Sequence, residues 1–223
     1  MKILVMSCDK NEDLWYPFYH CMEKYWPDHP EIIYSTETKI NPYYRTICKN
    51  YPLNKWTRRV RETVKEIDTE NIIVMVDDIF IREKVDTNKV LNLEKYIGGW
   101  VACVNLHQRA RDGMDITVDD NVQIRRPGGL YKCSLMCQLW SKEKLLDIFD
   151  WDTDPWTFEE TNRHKNYIYL IYNNNKCVFN WGNKFKNGYY GFGVNKGQWR
   201  RECKEFFDKE GLEVDYSKRG FCD

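Results

Sequence analysis

The sequence has no excess of either charge and no long apolar run. Lysine and arginine together number 34, and aspartate and glutamate also number 34, in a chain of 223 residues. This balance gives no bulk electrostatic attraction to nucleic acid or to an anionic membrane, so we expect neither as a partner. The first apolar run, Ile3 to Met6, is too short for a signal peptide, and no stretch approaches the length of a membrane span. We therefore expect a soluble, cytoplasmic protein.

Several short chemical signatures are also missing. The nine cysteines are scattered and none forms Cys-x-x-Cys, which favours reduced thiols over a disulfide framework or a zinc site. The sequence has no Gly-x-Gly-x-x-Gly, so a dinucleotide site is not expected. No internal repeat or low-complexity linker divides the chain, and its length suits one large domain or a domain with a small annex.

A strand that ends in two acids is the most informative stretch that is present. Five apolar residues, Ile72 to Val76, precede Asp77 and Asp78. Such a run is typical of a strand buried on both faces of an α/β sheet. Ligands of these sheets gather at the carboxyl ends of strands, and adjacent carboxylates there favour a divalent cation such as Mg²⁺ or Mn²⁺. The alternative is that both acids face water or cap the next segment.

The N-terminal part predicts a βαβ unit that is typical of a Rossmann-like sheet. A buried strand begins at Lys2, a helix spans Asn11 to Tyr25, and a second strand spans Glu31 to Glu37. The ends of these strands carry polar residues that could hold a nucleoside or act as helix N-caps. These residues are Ser7, Asp9 and Thr36.

A clear amphipathic helix is predicted from Asn54, its expected N-cap, to Ile67. Arg59 lies near the apolar stripe of this helix, shortly before the strand that carries the acids. An arginine at the edge of a buried face could bind a phosphate. Equally, its guanidinium could reach past the apolar surface to solvent.

The remaining pattern predicts alternating helices and strands that complete an α/β sheet. The predicted elements are a helix at 87–96, strands at 100–104, 122–126 and 131–135, a helix at 136–149, a hairpin of strands at 167–172 and 177–181, and a last helix at 199–210. Residues 183–197 are rich in Gly, Asn, Lys and Tyr and predict a lid-like loop. Its lysines, Lys184, Lys186 and Lys196, could reach a diphosphate or could simply face water.

A short helix with acids near its start follows the turn at 152–154. Asp154 followed by Pro155 predicts an N-cap with proline at the first helical position. Glu159 then falls within the first two turns, beside Trp156, where a carboxylate is well placed to act as a general base. The alternative is that acids favour helix N-termini because of the helix dipole.

Three blocks of the chain resemble one protein family. They are Trp56-Thr57-Arg58-Arg59 leading to Val74-Met75-Val76-Asp77-Asp78-Ile79-Phe80-Ile81; Ser134-Leu135-Met136-Cys137-Gln138-Leu139-Trp140 with Leu145-Leu146; and Asp154-Pro155-Trp156-Thr157-Phe158-Glu159 with Lys196-Gly197-Gln198-Trp199. In order and spacing these blocks are similar to small GT-A-fold glycosyltransferases of bacteria, phages and large viruses, including chlorella viruses. Two departures are Met136, where the family usually has glutamine, and an Asp-Asp pair in place of a spaced Asp-x-Asp.

The resemblance implies a single GT-A domain over residues 1–223, which is a Rossmann-like α/β fold with a mixed central sheet flanked by helices. Its nucleotide and metal half would span about 1–105 and its acceptor half about 106–223. The implied activity is metal-dependent transfer of a sugar from a nucleoside diphosphate sugar, with UDP favoured, to a glycan or another hydroxyl acceptor. The implied location is the cytoplasm, or the host cytoplasm for a viral protein.

The resemblance also implies roles for individual residues. Asp78 would ligate Mn²⁺ or Mg²⁺, and Asp77 would contact the ribose or support the metal shell. Glu159 would be the base of an inverting reaction, with Asp154 as the second candidate. The nucleotide would be held by Ser7, Asp9, Thr36 and Arg59.

Two other interpretations of the sequence remain open. The acids and aromatics also suit a catalytically silent sugar-binding or assembly module, or a sugar-phosphate nucleotidyltransferase on the same scaffold. A nucleotidyltransferase would be expected to carry a Gly-rich signature near the first strand, and residues 8–11 do not form one. Candidate sugar and acceptor contacts are Arg125, Arg126, Tyr131 and Trp156.

Overall fold

The computed structural model describes residues 1–106, 116–124, 133, 136–161, 165–172, 179 and 193–222. In chain order the described elements are β1 (Lys2–Met6), α1 (Glu12–Tyr25), β2 (Ile32–Thr36), β3 (Arg45–Cys48), α2 (Trp56–Lys65), β4 (Asn71–Met75), α3 (Thr87–Leu91), β5 (Val101–Asn105), β6 (Ile116–Thr117), β7 (Val122–Ile124), β8 (Cys137–Ser141), α4 (Lys142–Ile148), α5 (Pro155–Glu160), β9 (Ile168–Tyr172), β10 (Val194–Asn195), β11 (Gln198–Arg200), α6 (Arg201–Glu210) and β12 (Phe221–Cys222). Short 3₁₀ turns occupy Asp9–Asn11, Leu53–Lys55 and Asn92–Tyr96.

The strands from β1 to β9 form one mixed sheet in the order β3-β2-β1-β4-β8-β5-β9-β7-β6. Strands β3, β2, β1 and β4 run parallel, whereas β8 is inserted antiparallel between β4 and β5. This is the predicted α/β architecture with a mixed central sheet and flanking helices, and the prediction of the fold class is confirmed. Strands from both predicted halves of the chain, before and after residue 105, pair in this one sheet.

Successive side chains of the central strands pack alternately into two hydrophobic layers, one on each face of the sheet. Ile3 and Val5 of β1 pack on the face covered by α1 and α6. Leu4 and Met6 pack on the other face, which is covered by α2, α4 and α5. Because both faces are covered, the interior residues of β1 and β4 are all apolar, which explains the continuous apolar runs in these two strands.

A second, three-stranded sheet is formed near the C-terminus by β10, β11 and β12. Trp199 of β11 is fully buried and packs against Phe80, Phe207 and Tyr216. Phe80 follows the acid pair closely in sequence, so this small sheet is packed against the segment that leaves the end of β4. The C-terminal part of the chain therefore supports the end of β4 directly.

Two element predictions are wrong. The sequence pattern predicts one helix from Met136 to Phe149, but β8 occupies Cys137–Ser141 and α4 begins at Lys142. All five residues of β8 are buried between β4 and β5, so strand pairing overrides the helical spacing of the apolar residues. The last helix begins at Arg201, because Trp199 belongs to β11.

Smaller differences concern helix ends and segments outside the described residues. The helix after Asn54 begins at Trp56, and no side-chain capping bond is made at its start. The sheet strand β3 was not predicted. The predicted strands at 131–135 and 177–181, apart from Cys133 and Phe179, and most of the loop at 183–197 lie outside the described residues.

Candidate active site

The candidate site lies at the carboxyl ends of three neighbouring parallel strands. β1 pairs with β4 through Val5 and Met75, so Ser7 and Asp77 emerge side by side. β2 lies on the other side of β1 and ends at Thr36. The chain thus brings the predicted polar residues of β1, β2 and β4 to one edge of the sheet, where ligands of open α/β sheets bind.

Asp77 is 1% exposed, and both of its carboxylate oxygens accept hydrogen bonds. The Ser7 hydroxyl donates to Oδ2, and the Asn11 amide donates to Oδ1 at 2.9 Å. The Trp15 indole N–H in turn donates to Ser7 Oγ at 2.9 Å. Burial raises the pKa of Asp77 to about 6, and the hydrogen bonds from Ser7 and Asn11 oppose this increase.

Asp78 differs from its neighbour because its buried Oδ1 has no hydrogen-bond partner among the described residues. Burial raises the pKa of Asp78 to about 7, and the negative charges of Asp77 and Glu159 act in the same direction. The Asp78 backbone is fixed, since the Gly193 N–H donates to its carbonyl at 2.7 Å. An unpartnered buried carboxylate oxygen is costly, and a bound cation would compensate that cost.

The acid pair suits a cation that is shared with a substrate rather than a metal caged by protein alone. Within the described residues, no group of three or more His, Cys, Asp or Glu side chains converges as a metal site would. Mg²⁺ is commonly held by one or two carboxylates together with substrate phosphates. Asp78, supported by Asp77, fits that pattern through its unpartnered oxygen.

Asp9 and Thr36 organise the loop that follows β2. The Asp9 carboxylate accepts hydrogen bonds from the backbone N–H groups of Thr38 at 3.1 Å and Lys39 at 3.0 Å. Burial opposes its charge, but these hydrogen bonds prevail and hold the pKa of Asp9 below its ordinary value. The Thr36 hydroxyl donates to the Lys39 carbonyl at 2.7 Å. Both side chains therefore shape the rim of the site.

Arg59 is 3% exposed and points into the site region rather than to solvent. Its guanidinium pairs with Glu37 and donates to the Ser7 carbonyl at 2.7 Å. The Glu37 carboxylate also accepts a hydrogen bond from the Asp9 backbone N–H at 2.6 Å. These contacts hold the ends of β1 and β2 together, and they leave the role of Arg59 in phosphate binding as a prediction.

The short helix α5 carries the two predicted candidates for a base. Asp154 is its N-cap and Pro155 its first residue, as predicted. The Asp154 carboxylate accepts hydrogen bonds from the Thr157 backbone N–H at 2.9 Å and the Thr157 hydroxyl at 2.6 Å. Although burial opposes its charge, these bonds hold the pKa of Asp154 below its ordinary value. Glu159 lies near enough to Asp78 for its charge to raise the pKa of that residue.

The orientation of α5 follows from its one buried residue, Phe158. The Phe158 ring packs against Trp56 and Phe149, with ring centroids 6.0 and 4.8 Å away. This contact leaves Trp156 on the outer side, 63% exposed. A large exposed aromatic beside a carboxylate is chemically suited to stacking on a sugar ring.

Lys196 lies at the exposed tip of the hairpin between β10 and β11. Lys196 and Gly197 form a two-residue turn with φ values of 49° and 83°, in which glycine fits the left-handed conformation. The other predicted loop lysines, Lys184 and Lys186, and the predicted contacts Arg125, Arg126 and Tyr131 lie outside the described residues.

The sequence prediction missed Arg219, a cation of the C-terminal segment. Its guanidinium binds Asp13 and Asn11 near the start of α1, and its positive charge lowers the pKa values of Asp77 and Asp78 against the effect of burial. No local signal marks this residue, because its partners are more than 200 positions away in sequence.

Comparison with solved structures identifies the fold. The 1–349 fragment of S. aureus TarS gives a TM-score of 0.53 at 10% identity, over 80% of this chain and 60% of that one. The same fragment with UDP gives 0.52 at 9% identity, and a longer TarS structure, of which this chain covers 36%, gives 0.51 at 10% identity. At this level of identity the likeness concerns the fold alone, and this chain has the GT-A fold.

No protein-family model and no curated protein matches the sequence. In the part of the chain that the structure describes, no helix has both the length and the apolar composition of a membrane span.

Proposed function

We propose that this chain is a metal-dependent glycosyltransferase. It would move a sugar from a nucleoside diphosphate sugar, with UDP as the preferred nucleotide, to a hydroxyl group of a glycan acceptor. The observation that carries this proposal is the unpartnered buried oxygen of Asp78, beside Asp77, at the carboxyl end of β4 in a GT-A fold. We further propose that residues 1–223 act as one domain and that neither nucleic acid nor a membrane is a partner.

In this proposal the acid pair has divided roles. Asp78 would hold Mn²⁺ or Mg²⁺ through its unpartnered oxygen. Asp77, which accepts hydrogen bonds from Ser7 and Asn11, would support Asp78 as the metal ligand and face the ribose. When bound, the cation would offset the negative charge that develops on the diphosphate leaving group. The positive charge of Arg219 would act in the same sense from the C-terminal segment.

We propose that Ser7, Asp9, Thr36 and Arg59 form the wall of the nucleotide pocket. Arg59 joins the ends of β1 and β2 by donating to the Ser7 carbonyl and by pairing with Glu37. Asp9 and Thr36 fix the loop after β2 through backbone groups. Lys196, which is exposed on its hairpin, would bind the diphosphate of the donor.

Glu159 is our candidate for the base that accepts the proton of the acceptor hydroxyl as its oxygen attacks the anomeric carbon. The reaction would then invert the configuration at that carbon. Glu159 is preferred to Asp154 because the Asp154 carboxylate is committed to capping α5 and has a depressed pKa, which makes it a weaker base. Trp156, on the same helix, would stack on the acceptor.

The first experiment measures thermal unfolding with UDP, GDP, CDP and ADP, each with and without Mn²⁺. A ligand that binds only the folded protein raises the unfolding temperature by mass action. We expect an increase that requires both Mn²⁺ and one nucleotide. This increase should disappear in Asp78→Asn and persist in Asp68→Asn, a matched change at an exposed position.

The second experiment tests the base by measuring transfer or slow donor hydrolysis. Glu159→Gln should keep the nucleotide-dependent increase yet lose transfer by a factor of roughly 10²–10⁴, the usual contribution of a general base. Unchanged turnover would remove Glu159 from this role.

A folded protein that responds to no nucleotide in the presence of Mn²⁺ would instead support a silent binding module. Release of pyrophosphate from a nucleoside triphosphate would indicate a nucleotidyltransferase.

A further inference from the structure

The C-terminal segment returns to the start of α1, where Arg219 contacts two side chains. Its Nε and Nη2 donate to the two oxygens of Asp13 at 2.7 and 2.8 Å. Nη2 also donates to Asn11 Oδ1 at 3.0 Å. The Arg219 and Asp13 side chains are only 12% and 7% exposed. This pair is therefore a partly buried ion pair that also reaches the candidate site through Asn11.

The Arg219 guanidinium, which can only donate, and the Asp77 carboxylate, which can only accept, together determine which way the Asn11 amide faces. An asparagine amide can present either its oxygen or its nitrogen to a neighbour, and the neighbours decide. Because a guanidinium can only donate, Asn11 Oδ1 faces Arg219, and Nδ2 is left to donate to Asp77 Oδ1 at 2.9 Å. An inverted amide would place its N–H groups against those of Arg219.

The other oxygen of Asp77 is fixed in the same way. Ser7 Oγ accepts the Trp15 indole N–H at 2.9 Å, so the Ser7 hydroxyl proton is free to point to Asp77 Oδ2. Asp77 thus receives one oriented donor on each oxygen. Asp78, its neighbour in sequence, keeps its unpartnered oxygen.

We infer that Arg219 is a positioning residue that acts on Asp77 through Asn11. By fixing Asp77, the chain Arg219–Asn11–Asp77 leaves Asp78 as the carboxylate available to a cation. The inference rests on the proposed role of the acid pair in binding metal and donor. Partners outside a metal's ligand shell typically change metal affinity or activity by 10- to 100-fold when they are removed, and we expect an effect of that size here.

The test compares Arg219→Met and Arg219→Lys with Asp13→Asn. Asp13→Asn removes the charge of the ion pair but leaves Arg219 able to donate to Asn11, so it is the matched control for a purely structural tie. Binding of MnCl₂ with UDP is measured by titration calorimetry, and unfolding is followed without ligand. We expect Arg219→Met to weaken binding about 10- to 100-fold, Arg219→Lys to weaken it less, and Asp13→Asn to change it less than about 3-fold even if it unfolds at a lower temperature.

A second readout needs neither metal nor nucleotide. The Asn11 side-chain amide and the Trp15 indole N–H give ¹⁵N NMR signals that can be assigned with Asn11→Ala and Trp15→Phe. In the chelator-treated protein, Arg219→Met should shift both signals, whereas Asp13→Asn should leave them close to their wild-type positions. These signals report the hydrogen-bond chain itself.

The outcomes separate this inference from the proposed function. If the wild type binds Mn²⁺ and UDP but Arg219→Met binds them equally well with unmoved signals, the positioning role is overturned and the proposed function stands. If Asp13→Asn weakens binding as much as Arg219→Met, Arg219 only holds the C-terminal segment against α1 through its ion pair with Asp13. If the wild type binds neither ligand while the signals move in Arg219→Met, the proposed function fails and Arg219 still positions Asp77.

Discussion

Replacing Asp78 with asparagine should stabilise the metal-free protein at neutral pH. The side chain is isosteric, and asparagine removes a charge that burial disfavours at this position. Its oxygen Oδ1 has no hydrogen bond to lose among the described residues. The variant would therefore be more stable and less functional, the combination expected where a site holds an unfavourable charge for its chemistry.

The magnitude and its pH dependence follow from the pKa of Asp78. In the unfolded chain this carboxyl titrates near its ordinary value of 3.8, and in the folded protein burial raises the pKa to about 7. The folded state thus holds the proton more tightly, so the contribution to stability is fully present below about pH 4 and is lost as the pH rises to about 7. A difference of about three pH units sets a ceiling of about 4 kcal/mol. Because the side chain keeps partial access to water, we expect about 2 kcal/mol.

The assay is urea unfolding of wild type and Asp78→Asn in the presence of a chelator. The free energies of unfolding should be similar at about pH 4 and differ by about 2 kcal/mol in favour of the variant at about pH 8. Asp77→Asn is the matched control. Its gain should be smaller, because an amide cannot accept from both Ser7 and Asn11 as the Asp77 carboxylate does.

Mn²⁺ with the correct nucleotide should reverse the order, since the added free energy of binding stabilises only the protein that can bind. The reasoning is refuted if Asp78→Asn is no more stable than wild type at about pH 8 without metal. It is also refuted if the difference between the two proteins does not change between about pH 4 and about pH 8.

Three further changes test other parts of the site. Gly193→Ala should destabilise the protein by about 1–3 kcal/mol, because a Cβ there would overlap the Phe80 ring; an unchanged urea midpoint would argue against this contact. Asp154→Ala should lower stability by about 1 kcal/mol through loss of the cap on α5, whereas Asp154→Asn should largely preserve it in thermal unfolding. Trp156→Ala should change stability by less than about 0.5 kcal/mol, since the ring is 63% exposed, but should raise the KM for the acceptor; an unchanged KM would exclude Trp156 from acceptor binding.

The sequence predicts correctly the parts of the fold that depend on residues close together in the chain. The apolar run before Asp77 predicts a buried strand, and β4 ends at Met75, two residues before Asp77. Asp154 followed by Pro155 predicts the start of α5, and its capping hydrogen bonds are present. In both cases the residues that decide the structure are neighbours in the chain.

The prediction failed where tertiary contacts decide the conformation. The segment after Met136 has apolar residues at helical spacing, but its first part is paired between β4 and β5 and is buried on both faces. A short apolar run cannot be assigned to strand or helix by periodicity alone when both faces are covered. The sequence pattern likewise predicts Trp199 in the last helix, but Trp199 lies in a strand that pairs with β10 on one side and with β12 on the other.

For the site, the sequence suggested which residues gather at the strand ends but not what each side chain contacts. The predicted nucleotide residue Arg59 could not be known to pair with Glu37, because that pair joins α2 to the segment after β2. The sequence predicts Asp9 as a helix cap or a nucleoside contact but gives no sign that its carboxylate holds the backbone of Thr38, and the nucleoside contact stays a prediction. Such contacts depend on the packing of separate elements, which periodicity does not encode.

The difference between the two acids has the same origin. Asp77 and Asp78 are identical in type and adjacent in sequence, so no local pattern can assign them different roles. Their environments diverge because Asp77 meets two oriented side-chain donors, one of which also contacts Arg219 from the far end of the chain, while the buried Oδ1 of Asp78 meets none among the described residues. The difference between the two acids therefore arises when β1 has paired with β4 and Arg219 has packed against the start of α1. In the proposed function, the buried charge of Asp78 would be neutralised by a cation that arrives with the substrate.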